Sequence, residues 1–255
     1  MKNKPYLLAQ TTWKTVKETD YEIAVLPWGA TEAHNYHLPY MTDNLESDFI
    51  AEEAGRKAWE LGVRVVVLPG IPYGVNTGQA DIKLDINLNP STQLMVLTDI
   101  IASVERAGIK KLVILNSHGG NDFRQMIREL GLKFPGMWIL QANWYTIKNP
   151  EPLFHETGDH AGEMETSLLM HLCPDRILPL EEAGNGKFRT TKLSGVKEGW
   201  AWTERPWTLI TEDTGVGDPR QATPEKGKIY FDYITTRIAG LLEELSGLKR
   251  EESYI

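Results

Sequence analysis

The strongest constraint on this chain is the alternation of short apolar runs with longer helical patterns. Ile23-Ala-Val-Leu-Pro-Trp28 ends at Gly29, and Arg64-Val-Val-Val-Leu68 stops at Pro69-Gly70; Lys111-Leu-Val-Ile-Leu115 and Met137-Trp-Ile-Leu-Gln141 follow. Strands that are apolar on both sides are buried on both faces, and parallel strands need crossovers of a dozen or more residues, usually helices. Helical patterns fill those intervals at 46–61, from Asn89-Pro90-Ser91 to Ala107-Gly108, and at 123–132. Two more, 161–172 and 224–245, follow the last strand, the second with Pro224 at a permitted first-turn position. The chain therefore reads as α/β, with a parallel sheet covered on both faces. In such sheets, sites form outside the carboxyl ends of the strands.

Composition narrows the function classes. Among 255 residues, 35 are acidic and 27 basic, a formal charge of −8. Nucleic-acid binding needs a concentrated basic field, so no nucleic-acid partner is expected. The single cysteine, Cys173, excludes an internal disulfide framework and a Cys-rich zinc site. No run approaches the roughly 18 apolar residues of a membrane span. Met1-Lys2-Asn3-Lys4-Pro5 has no apolar stretch behind it, so a cytoplasmic protein without a secretory signal is expected. The segment 184–217 breaks the α/β pattern. It is rich in Gly, Thr and Trp (Trp200, Trp202, Trp207) and reads as a long loop or small hairpin, the kind of segment that builds lids and inter-subunit contacts.

Metal-ligand residue types gather just past two strands and in one later segment. The first, Glu32-Ala-His34-Asn-Tyr-His37-Leu-Pro-Tyr-Met-Thr-Asp43, leaves the strand ending at Trp28. In extended chain Glu32 and His34 point to one side, and Asp43 can return to them after the Leu38-Pro39 turn. The second, Asn116-Ser-His118-Gly119-Gly120-Asn121, leaves the third strand, its glycines allowing close backbone approach. The third is Asp159-His160-Ala-Gly-Glu163-Met-Glu165-Thr-Ser167; on a helix His160 and Glu163 share a face. Imidazoles and carboxylates without thiolates suit Zn, Mn, Fe or Co. Four or more such ligands at one sheet edge invite a two-metal site in which Asp43 could bridge, a water is deprotonated and a carbonyl polarised. Glu163 and Glu165 compete for one role. His37, His155 and His171 read as structural hydrogen-bonders, His37 with the option of orienting a ligand, and Thr42 and Asn44 as turn formers.

These same segments resemble the creatininase, or creatinine amidohydrolase, family. Gly29-Ala-Thr-Glu32-Ala-His34 through His37-Leu-Pro39 to Thr42-Asp43 is similar to its first motif, and Asn116-Ser-His118-Gly-Gly-Asn121 to its second. His160-Ala-Gly-Glu163-Met-Glu165-Thr-Ser167 is similar to the third. Gly215-Val-Gly217-Asp218-Pro219 with Ala222-Thr-Pro-Glu225-Lys-Gly227 is similar to the last. Four motifs in order are far more specific than any one alone.

The resemblance implies one domain over 1–255, a three-layer α/β/α sandwich with a mostly parallel central sheet, often assembled into hexamers. It implies a dinuclear metal amidohydrolase with two divalent ions (Zn, Mn or Fe). Glu32 and His118 would serve one ion, His34 the other, with Asp43 bridging and Glu163 as the remaining carboxylate. His160 would be the catalytic histidine, and Asn76, Gly119 and Asp159 the substrate-binding positions. The implied reaction is cleavage of the C–N bond of a small linear or cyclic amide or formamide by attack of a metal-bridging hydroxide on its carbonyl. Departures at Gly119-Gly120, Glu156-Thr157-Gly158 and the 73–86 segment argue against creatinine itself. Two rival readings are a non-catalytic metal protein that binds a small ligand, and a dinuclear phosphoesterase, the latter disfavoured by the lack of a Lys/Arg cluster beside the motifs.

Overall fold

The computed structural model describes residues 4–149, 151–156 and 158–254. Four parallel strands, β1 (Ile23–Trp28), β2 (Val65–Val67), β3 (Lys111–Asn116) and β4 (Trp138–Asn143), form one sheet in the order β2-β1-β3-β4. The register sets Ile23 beside both Val65 and Lys111, and Lys111 beside Trp138, so the strand ends align. The helices are α1 (Trp13–Val16), α2 (Thr42–Glu60), α3 (Pro90–Arg106), α4 (Arg124–Lys133), α5 (Glu163–Leu172), α6 (Ser194–Lys197), α7 (Trp207–Ile210) and α8 (Pro224–Gly247).

Successive side chains of a strand leave opposite faces, and here each face has its own apolar core. Ile23, Val25, Val65, Val67, Val113 and Leu115 pack with α2, α5 and α8. Ala24, Leu26, Trp28, Val66, Leu112 and Ile114 pack with α3 and α4. This is the expected sandwich of helix, parallel sheet and helix. Gly108, at φ +87°, ends α3 as its position after Ala107 predicts.

Helix α2 differs from its expected extent. It begins at Thr42, four residues before the apolar pattern does, with Thr42 donating from both N and Oγ1 to Pro39 O (3.0 and 2.7 Å). Thr42, Asp43 and Asn44 are polar yet buried, so the hydrophobic period that marks a helix in sequence is missing from its first turn. Segment 184–217 holds two one-turn helices, α6 and α7, and an antiparallel bridge between Phe188 and Thr211. Met1, Lys2 and Asn3, which begin the stretch read as lacking a leader, and Thr157 lie outside the described residues. Among the described residues, no helix is long and apolar enough to cross a membrane.

Candidate metal centre

The chain leaving β1 turns at Asn35, whose φ of +53° is tolerated by its short polar side chain. That turn, with α2 starting at Thr42, brings Asp43 back against His34: His34 Nε2 lies 3.1 Å from Asp43 Oδ1. The loop leaving β3 delivers His118 to the same place, its Nδ1 2.9 Å from Glu32 Oε1 and 3.0 Å from Asp43 Oδ2. His160 adds a third imidazole, with Nδ1 3.8 Å from Glu32 Oε1 and its ring 4.1 Å from that of His34. Glu165 on α5 completes the cluster. Three donor sets each fall within 4.8 Å: Glu32, Asp43 and His118; His34, Asp43 and Glu165; Glu32, His34 and His160. All six side chains are buried.

The outer nitrogen of each imidazole is fixed by a backbone carbonyl. His34 Nδ1 donates to Glu32 O (3.1 Å), His118 Nε2 to Val75 O (2.9 Å) and His160 Nε2 to Ala33 O (2.9 Å). A carbonyl can only accept, so each of those nitrogens carries the hydrogen. The inner nitrogen is left to face the carboxylates, the arrangement seen behind metal-ligating histidines. Gln79 donates through Nε2 to Glu32 Oε2, and Asn121 bridges the strand ends, donating to Asn116 Oδ1 and accepting from Val75 N and Gln93 Nε2.

Three carboxyls packed together would repel, and the cluster's protons record this. For His34, burial opposes charge, but Asp43 and Glu32 prevail and push it up to about 10. His118 is likewise pushed well above its ordinary value by Glu32 and Asp43 against burial. Both carboxylates are in turn held low against burial: Glu32 by His118 and His160, and Asp43 by His34 and His118. Glu165 is raised to about 7 by burial, opposed by His34. His160 is lowered to about 4 by burial and by His34.

The other expected positions fall as follows. Glu163 lies outside the three donor sets, one of which contains Glu165 instead. The expectation assumed that His160 and Glu163 share a helix, but α5 starts at Glu163, and His160 precedes it on irregular backbone with Ala161 at φ +51°. Glu163 instead pairs with Lys226 Nζ and accepts the backbone N–H groups of His155 (2.7 Å) and Glu156 (2.9 Å). Burial opposes its ionisation, but Lys226 and those donors outweigh it and hold the carboxyl below the usual range. Asn76 is framework on its donor side, with Nδ2 on Thr31 O and Ile86 O. Gly119 is exposed, and a Cβ there would meet nothing within 4 Å. Asp159 is exposed and bound 2.9 Å from Arg205 Nη1. His37 sits behind the cluster, with Nε2 2.9 Å from Thr166 Oγ1.

Two neighbours escaped the sequence reading as site residues. Gln79 lies between motifs, and only its polarity at a buried position marks it. Trp207 packs its ring 4.6 Å from that of His160 while Trp200 and Trp202 stay exposed; nothing in the sequence separates the three.

The family profile described as creatininase, creatinine amidohydrolase, matches residues 9–242. A mycofactocin precursor peptide peptidase of Mycobacterium tuberculosis (strain H37Rv) is 28% identical over 236 residues, 88% of this chain and 87% of that protein. A crystal structure of a candidate creatinine amidohydrolase from Bacteroides fragilis is 41% identical, covering 97% of this chain and 99% of that one, with a TM-score of 0.91. A manganese creatininase shares the fold at 22% identity, with a TM-score of 0.77 over 96% of this chain and all of that one. A profile match over most of its length, with this sheet carrying a carboxylate–imidazole cluster at its carboxyl edge, makes the chain a member of the creatininase family.

Proposed function

We propose that this protein is a metal-dependent amidohydrolase that cleaves the C–N bond of a small linear or cyclic amide or formamide. The observation that carries this reading is the position of Asp43. Its Oδ1 meets His34 and its Oδ2 meets His118, so one carboxylate joins two donor sets. Glu32 and His118 complete one set, and His34 with Glu165 the other. The donors fit divalent cations: three carboxyls and imidazoles with fixed tautomers, and no Lys or Arg paired with Glu32, Asp43 or Glu165 among the described residues. Two divalent ions (Zn, Mn or Fe) bound there would supply Lewis acidity for a carbonyl and lower the pKa of a water.

The rest falls to this chain's own side chains. His160 is held neutral near pH 7, with its Nε2 hydrogen occupied by Ala33 O. Its Nδ1 therefore faces the cluster with a free lone pair, ready to take a proton from water and return it to the leaving nitrogen. Gly119 is exposed, with nothing within 4 Å of a Cβ placed there, and the ring of Trp207 packs against that of His160. The peptidase name of the mycobacterial relative is the reason to include short peptides among the compounds tried.

The test loads purified protein with Zn, Mn or Fe and assays amides, formamides, creatinine and short peptides. Turnover of an amide-type compound is expected, with creatinine a poor substrate. His160→Ala should abolish turnover with metal content unchanged; retained activity removes His160 from the reaction. Thermal stabilisation by panel compounds with none consumed would favour the non-catalytic binding reading.

A further inference from the structure

The last family motif, Gly215 to Gly227, contributes no donor to the cluster, yet it touches the segment carrying His160 at two points. At the first, His160 and Val216 form an antiparallel bridge, His160 N to Val216 O at 3.2 Å and Val216 N to His160 O at 2.8 Å. Gly217 (φ +115°) and Gly158 touch so closely that a Cβ on Gly158 would lie 2.4 Å from Gly217 Cα and 2.0 Å from Val216 O. At the second, Lys226 reaches Glu163, which grips the backbone of His155 and Glu156. Lys226 Nζ also donates to Gln221 O (2.9 Å). Gly227 allows this reach, because a Cβ there would lie 1.9 Å from Ser167 O, so α8 can lie against α5 only with glycine at that point. Ser167 Oγ adds a tie, donating to Glu163 O (2.6 Å) and accepting from Thr223 N (3.2 Å).

We propose that Glu163 and Lys226 are positioning residues: the buried Glu163 carboxylate clasps the backbone at 155–156 to the start of α8 and so fixes the arm that presents His160. Geometry separates this role from metal binding. Both Glu163 oxygens are taken, Oε1 by Lys226 and Oε2 by two N–H groups, so neither is free for a cation. Glu165, two residues on, takes part in a donor set and also accepts from Ala161 N. The arm is thus tied on both sides of His160 by neighbouring carboxylates with different duties. A donor shared between charged partners is among the stronger hydrogen bonds, and a catalytic group displaced by about 1 Å can lose on the order of 100-fold in rate.

The kinetic arm of the test rests on the amidohydrolase reading; the other arms do not. Glu163→Gln, Lys226→Met, Lys226→Arg and Glu165→Gln are compared in the metal-loaded protein. Glu163→Gln and Lys226→Met should keep the parent's metal content while Glu165→Gln loses part of it. Amide exchange at His155 and Glu156 should quicken roughly tenfold in the first two, as expected for losing a charge-assisted hydrogen bond. Their kcat should fall on the order of 10–100-fold with KM little changed, and Lys226→Arg should restore most of it. Metal loss in Glu163→Gln equal to that in Glu165→Gln would overturn the proposal, as would unchanged exchange at 155–156. If Glu163→Gln does not fold, Lys226→Met with its arginine rescue decides alone. Absence of turnover in the parent would sink the hydrolase reading only, leaving exchange and metal content to judge the clasp.

Discussion

A backbone carbonyl decides which nitrogen of His34, His118 and His160 faces the carboxylates, and that choice has a pH consequence. In the metal-free protein His34 and His118 hold protons as counter-charges, against burial, because Asp43 and Glu32 stand beside them. A cation must displace those protons, so apparent affinity should rise with pH, about tenfold per unit for each proton released. Chelator competition at pH 6, 7 and 8 checks this, and a flat response would mean that the rings are already neutral. Glu46 presents the opposite case. It is fully buried, neither oxygen has a partner, and burial first, then Glu165 and Asp43, raises its pKa well above the ordinary value. The unfolded chain ionises this group near pH 4.3 while the folded one keeps the proton. Metal-free stability therefore falls as pH rises above that point, by about 1.4 kcal/mol per unit until the folded pKa is reached. Glu46→Gln should raise the metal-free melting temperature at pH 8 and leave it nearly unchanged at pH 4; equal shifts at both would refute the assignment. Glu32, His34, Asp43 and His118 were legible because the strand-end rule selects their positions. The choice between Glu163 and Glu165 was not, because it depends on where α5 begins, and helix starts blur in sequence by a residue or two.

At the level of elements, the four strands could be read because each contains at least three consecutive apolar residues, and four of the long helices because their apolar period is intact. The first turn of α2 could not, since Thr42, Asp43 and Asn44 are buried for the site rather than for the core. The loop after β3 offers a test of how an element holds a ligand. A Cβ on Gly120 would lie 2.2 Å from Val75 O and 2.4 Å from His118 Nε2, the two atoms of one hydrogen bond. Gly120→Ala would wedge that bond apart. Its metal affinity should drop on the order of 10–100-fold, the usual effect of losing a ligand's supporting bond. Calorimetric metal titration measures this, and parent-like affinity would show that the loop moves aside without cost to His118.

Across the whole molecule, the 184–217 segment turns Trp207 inward and leaves Trp200 (74% exposed), Trp202 (87%), Leu193 and Leu209 outside. Single exposed apolar groups are ordinary, but several on one segment beside a site favour contact with another protein surface. The expectation of a homo-oligomer predicts a solution mass that is a multiple of 28.8 kDa, reduced by Trp202→Asp. Light scattering on eluting protein checks this, and a monomer in both forms would remove the segment from any assembly role. The order in which the ribosome delivers the chain gives the parallel sheet a further consequence. Glu32 and His34 emerge early, His118 near the middle, and His160 and Glu165 only after β4. A chain that stops before α5 already carries the sets Glu32, Asp43, His118 and Glu32, His34, His160 but lacks Glu165, so the set of His34, Asp43 and Glu165 is the last to be completed.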